Sequence, residues 1–135
     1  LAKHYGAEVL VNAKEVDPVP AIIEGTGGGA HGVLVTAVHP TAFGQAISMA
    51  RRGGTIVLVG QPPGEFPAPI FDIVLKGLTV RGSIVGTRQD MVEALDFYAR
   101  GKVRPRVHER RLDEINDIFD EMKQGAIDGR VVVKF

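Results

Sequence analysis

Cysteine is missing from all 135 residues, which removes disulfides, thiolate zinc sites and cysteine nucleophiles from the chemistry of this chain and leaves its redox compartment open. Nor does any apolar run approach the roughly 18 residues needed to cross a bilayer. Charge of one sign is lacking as well: 16 basic residues balance 16 acidic ones, and no basic run exceeds two residues. Phosphate backbones and anionic lipid are held by clustered positive charge, so nucleic acid and membrane are not expected partners. The 17 glycines follow no three-residue period, which excludes a collagen-like chain. Residues 1–6 have neither the apolar core nor the cleavage site of a signal peptide, and they read as the last turn of a helix capped by Gly6. With 44% hydrophobic and 24% charged residues, the totals suit one soluble globular domain.

Five segments rich in β-branched residues recur at even spacing: Glu8 to Asn12, Gly32 to Ala37, Thr55 to Val59, Leu78 to Val85, and Arg130 to Phe135. Val33-Leu34-Val35 and Ile56-Val57-Leu58-Val59 are nearly continuous apolar runs, as expected of strands buried on both faces. Helices are expected between them. Asp17-Pro18 supplies an N-cap with proline at the first helical position, and Pro40 opens a second helix whose Phe43, Ala46, Ile47 and Ala50 share one face. Thr87-Arg88-Gln89-Asp90 has the form of a capping box; Met91, Leu95 and Tyr98 follow on one face and Gly101 stops the helix. A last helix is expected from near Asp113 to Gly125, with Ile115, Ile118, Phe119 and Met122 inward. Strands alternating with helices predict an α/β fold, a doubly wound parallel sheet.

Gly25-Thr26-Gly27-Gly28-Gly29-Ala30 formally satisfies G-x-G-x-x-G/A, but it follows a helix and enters a strand. A dinucleotide fingerprint needs the reverse order, because the helix N-terminus holds the pyrophosphate; the run therefore reads as a surface loop. In open α/β sheets ligands collect at the carboxyl ends of strands. Gly60-Gln61-Pro62-Pro63-Gly64 and Gly82-Ser83-Ile84-Val85-Gly86-Thr87-Arg88 lie at such ends; each reads either as a tight turn or as a ligand contact. His4, His31, His39 and His108 have no metal-ligand spacing and read as surface or cap residues. Ser48 and Ser83 lack a nucleophile elbow, and no general acid or base is assigned. Arg130 is a candidate phosphate clamp, a surface ion pair being the alternative.

Taken in order, Val35-Thr36-Ala37-Val38, Arg51-Arg52-Gly53-Gly54, Val57 to Pro63, Gly82 to Arg88 and Gly129-Arg130-Val131-Val132 resemble the zinc-dependent medium-chain alcohol dehydrogenases. The likeness is to the microbial tetrameric branch, from inside the nucleotide-binding domain to the C-terminus, and it covers essentially the whole chain. The resemblance implies an incomplete Rossmann-type domain over residues 1–135 and a cytoplasmic enzyme that interconverts alcohols and aldehydes by zinc-assisted hydride transfer to NAD. It implies that Val59 and Gln61 present backbone groups to the nicotinamide, with Gly60 keeping the approach open and Ser83, Ile84 and Val85 completing the contact. Thr36 and Ala37 would lie near the adenosine half, and Arg130 would neutralise the pyrophosphate.

The same resemblance implies parts that these residues do not carry. The glycine fingerprint, the first two strands, the acidic ribose-reading residue and the GroES-like catalytic domain with its zinc ligands would all precede Leu1. No zinc ligand is carried onto any residue here, and NAD over NADP is a family-level expectation. By family topology the two earlier strands would separate Glu8–Asn12 from Gly32–Ala37. The first strand is then expected to rely on an N-terminal part or another copy, or residues 1–30 rearrange. The strand around Leu78 to Val85 is the expected edge, joining subunits of a homo-oligomer. Alternative readings are a zinc-free quinone reductase of the same superfamily, a non-catalytic nucleotide-binding module, and a dimerisation module.

Overall fold

A computed structural model describes all of residues 1–135, and the chain divides into two compact units, Ala2–Gly86 and Thr87–Phe135 together with Leu1. The first holds α1 (Pro18–Gly25), β1 (Ala30–Val35), α2 (Pro40–Met49), β2 (Ala50–Leu58), α3 (Ile70–Lys76) and β3 (Thr79–Gly82). The second holds α4 (Arg88–Ala99), β4 (Val107–Arg111), α5 (Ile115–Gln124) and β5 (Arg130–Lys134).

In the first unit the strands make a parallel sheet in the order β1-β2-β3, with Val35 opposite Leu58 and Leu58 opposite Gly82. Helices α2 and α3 connect successive strands, as parallel pairing requires. The apolar stripe of α2 becomes the core: Phe43, Ala46 and Ile47 are buried, and Val35, Ala50 and Ile56 pack in the same cluster as Phe43 and Ala46. Phe66 closes one end, its ring 5.4 Å from that of Phe43. Regular β1–β2 pairing begins at Gly32 opposite Thr55. Before it, β2 advances from Ala50 to Thr55 while β1 advances only from Ala30 to Gly32, an irregularity that absorbs Arg51-Arg52-Gly53-Gly54.

Several expectations need correction. Residues 8–12 form no strand; Val9 and Leu10 are exposed, and Asn12 instead closes a turn through Glu15 N–H to Asn12 O at 2.9 Å. A strand without a neighbour has nothing to satisfy its backbone groups, so apolar residues there do not suffice. The sheet itself is incomplete, as the resemblance implied: Leu34, on the face away from α2, is 66% exposed. The fourth expected strand shrinks to Thr79–Gly82, leaving Ser83, Ile84 and Val85 beyond its end. Helix α3 was not foreseen.

In the second unit β4 and β5 pair in parallel, Val107 opposite Arg130 through Arg111 opposite Lys134. Strand β4 escaped the sequence reading because Val-His-Glu-Arg-Arg is almost wholly charged or polar. The capping box at α4 is complete: Asp90 N–H donates to Thr87 Oγ1 at 3.2 Å, and Thr87 N–H donates to Asp90 Oδ2 at 2.6 Å. Its Met91, Leu95 and Tyr98 are nevertheless exposed. In α5 only Ile118 is buried; Phe119 and Met122, expected inward, are exposed.

Candidate functional site

Because β1, β2 and β3 run parallel, their carboxyl ends lie along one edge of the sheet, and backbone bonds hold those tips together. Val59 N–H and Gly60 N–H both donate to the Val35 carbonyl, at 2.9 and 2.8 Å, and Ser83 N–H donates to the Leu58 carbonyl at 2.9 Å. Thr36 and Ala37 after β1, Val59, Gly60 and Gln61 after β2, and Ser83, Ile84 and Val85 after β3 are thus brought side by side. The tips are open: Ile84 is 78% and Val85 93% exposed, and Thr36, Ala37, Gln61 and Ser83 are exposed too.

The hydrogen-bond arrangement separates groups that are spent from groups that remain. The N–H groups of Val59, Gly60 and Ser83 are used inside the sheet. The carbonyls of Val59 and Ser83 and the N–H groups of Gln61, Ile84 and Val85 make no hydrogen bond within the chain. Two acceptors and several donors are therefore left over on adjacent tips, a set that matches a group both donating and accepting.

Gly60 has a reason within the fold itself. A Cβ built there falls on the Ala37 carbonyl oxygen and within 3.2 Å of the Thr36 carbonyl carbon, so the β1 tip already fills the space a side chain would need. Glycine is required there by the contact between two strand tips alone. Beside Gly60 lies a cleft of about 200 Å³ lined by Pro40, Phe43, Pro62, Glu65 and Phe66 among others. Sequence reasoning missed this cleft, since Phe66 reaches it only by packing on α2. The first turn of α2 borders it, and His39 caps that helix by accepting from Thr41 N–H at 3.3 Å, as a cap reading of the histidine anticipated.

Arg130 opens β5 in the second unit, exposed and with no side-chain partner. At the opposite end of the first sheet, the Gly25–Ala30 run joins α1 to β1, as its order in the sequence required. There Lys76 Nζ donates to the Ser48 carbonyl in the last turn of α2, at 3.0 Å. Helix C-termini carry partial negative charge, and the Lys76 ammonium meets that end of α2.

No three or more His, Cys, Asp or Glu side chains stand close enough to hold a metal ion, and there is no cysteine, so the residues present do not fit a zinc site.

Residues 1–100 match the family model described as zinc-binding dehydrogenase. The chain belongs to that family. It is 57% identical over 134 residues to an alcohol dehydrogenase of Moraxella sp. (strain TAE123), a match covering 99% of this chain and 39% of that protein. Among solved structures, the alcohol dehydrogenase of the archaeon Aeropyrum pernix superposes with a TM-score of 0.89 at 29% identity, over 98% of this chain and 38% of that one. An NAD-dependent alcohol dehydrogenase superposes with a TM-score of 0.86 at 25% identity, over 99% of this chain and 40% of that one. This member of the zinc-binding dehydrogenase family thus spans about two fifths of the length of the relatives it matches. Its parallel α/β sheet is part of a Rossmann-type domain.

Proposed function

We propose that this chain supplies half of the NAD site of an alcohol dehydrogenase that interconverts alcohols and aldehydes or ketones by zinc-assisted hydride transfer. The observation that carries the reading is the set of unpaired backbone groups on adjacent strand tips. A nicotinamide carboxamide donates through its N–H₂ and accepts through its oxygen. The Val59 and Ser83 carbonyls, left without a partner in the chain, would accept from it, and the Val85 N–H would donate to it. Gln61 and Ile84 flank that contact, Gly60 joins the two tips, and Thr36 and Ala37 lie on the adjacent tip for the adenosine half.

Bound NAD supplies the hydride acceptor, and the residues of this chain orient it. Fixing the carboxamide decides which ring face meets the substrate, and a misplacement of about 1 Å costs on the order of a hundredfold in rate. No residue here holds zinc, and none takes part in proton transfer. Arg130 would pair with the pyrophosphate, since guanidinium binds phosphate oxygens through two parallel hydrogen bonds. The substrate class is a small alcohol or aldehyde. The exposed edge of β3 is offered to a second copy in a two-fold contact, giving a homo-oligomer; sedimentation of the full polypeptide at a monomer's mass would remove that part of the proposal.

The experiment is a titration of the full polypeptide with NADH. Arg130→Ala is expected to weaken binding by about 1 to 3 kcal/mol, the range for hydrogen bonds to charged groups. An unchanged dissociation constant would take Arg130 out of the site.

A further inference from the structure

The loop that leads into β5 carries a carboxylate held away from Arg130. Asp128 lies two residues earlier, so at most about 7 Å of chain separates their α-carbons. A carboxylate and a guanidinium that near are natural partners, yet they do not pair. Asp128 Oδ2 accepts from Arg106 Nη1 at 2.9 Å. Its Oδ1 accepts from His108 Nε2 at 3.1 Å, and the same ring nitrogen lies 2.9 Å from the Asp128 carbonyl oxygen. Both of those partners are acceptors, so Nε2 carries a hydrogen.

The backbone of the loop is fixed by other means. Arg130 N–H donates to the Arg106 carbonyl at 2.9 Å. Gly129 adopts φ +92°, and a Cβ there would fall on the Arg106 carbonyl oxygen, so only glycine allows the two segments to meet. The Asp128 carboxylate is therefore not needed to shape the loop. Other acids of this unit are engaged as well: Glu109 with Lys134 at 2.6 Å, and Glu114 and Glu121 with Arg110.

We infer that Arg106 and His108 are positioning residues that sequester Asp128, leaving the Arg130 guanidinium available to a phosphate group of the bound dinucleotide. The inference rests on the reading of Arg130 given above. Without its two partners, the Asp128 carboxylate turns to Arg130 and competes with the ligand. An exposed pair of this kind is a modest competitor, which sets the expected effect at about fivefold.

The test is made in the full polypeptide, with the NADH dissociation constant and kcat measured together. Arg106→Ala with His108→Ala is expected to raise the dissociation constant about fivefold with kcat little changed. Adding Asp128→Asn to that pair is expected to return binding to within about twofold of the parent, a rescue that simple damage to the loop would not show. A triple variant as weak as the double, or a double variant that binds normally, overturns the inference. If the double variant does not fold, Asp128→Asn alone decides: unchanged or tighter binding supports sequestration, and severalfold weaker binding contradicts it. Arg130→Ala in parallel separates the two claims, because normal binding there fails the reading of Arg130 itself.

Discussion

At Gly60 the backbone of one strand tip occupies the volume that any other residue would need for its Cβ. The sequence showed a glycine at a strand end, and a ligand's approach was one reason for it; the other lies in Thr36 and Ala37, residues on a different strand. Such a contact is invisible in the sequence because it depends on the register between β1 and β2. Gly60→Ala is therefore expected to destabilise the fold by about 1 to 3 kcal/mol, as overpacking does, with or without cofactor. Urea unfolding of the full polypeptide checks this, and full stability in that variant would show that the tips are not in contact. A fall in turnover on substituting Gly60 is accordingly no test of a ring nearby, whereas the groups proposed for contact at Ser83 and Val85 belong to the backbone, so changes of side chain there are expected to be tolerated.

Legibility at the scale of the element followed how local each determinant was. Helix α2 was readable because its proline start and apolar stripe lie within one stretch, and the regular part of β2 began at the expected Thr55. Residues 8–12 had the composition of a strand and formed none, while β4 had the composition of a surface and paired with β5. Strand identity in both cases was set by the presence of a partner. The capping box of α4 was legible from four residues, and it carries a pH dependence. Thr87 N–H, and then its hydroxyl, donate to Asp90 and hold that carboxyl below its ordinary value. Glu114 is lowered likewise, first by the Arg111 N–H and then by the Arg110 guanidinium. A carboxyl lowered by folding stabilises the native state above its unfolded pKa of roughly 4, and that contribution is lost as pH falls through the lower native value. Asp90→Asn is thus expected to lose less stability than the parent between about pH 5 and pH 3. Urea midpoints across that range measure it; parallel acid curves for the two proteins would contradict the role of the carboxylate.

For the whole molecule, the family was legible from five ordered strings although no single glycine pattern identified it. The two-unit organisation was not, because composition totals do not reveal where contacts are sparse. Placing Arg130 in a unit separate from the β1–β3 tips likewise lay beyond any motif. At this scale the proposed role of the β1, β2 and β3 tips is to form one face for a nicotinamide dinucleotide. Amide hydrogen exchange of the full polypeptide, with and without saturating NADH, tests that role most directly. The N–H groups of Gln61 and Val85 are unpaired in the chain and exposed, so they should exchange rapidly alone. Slowed exchange on adding NADH in the segments 59–64 and 82–87 is the predicted result; protection confined to other segments, with these two unchanged, would contradict the account.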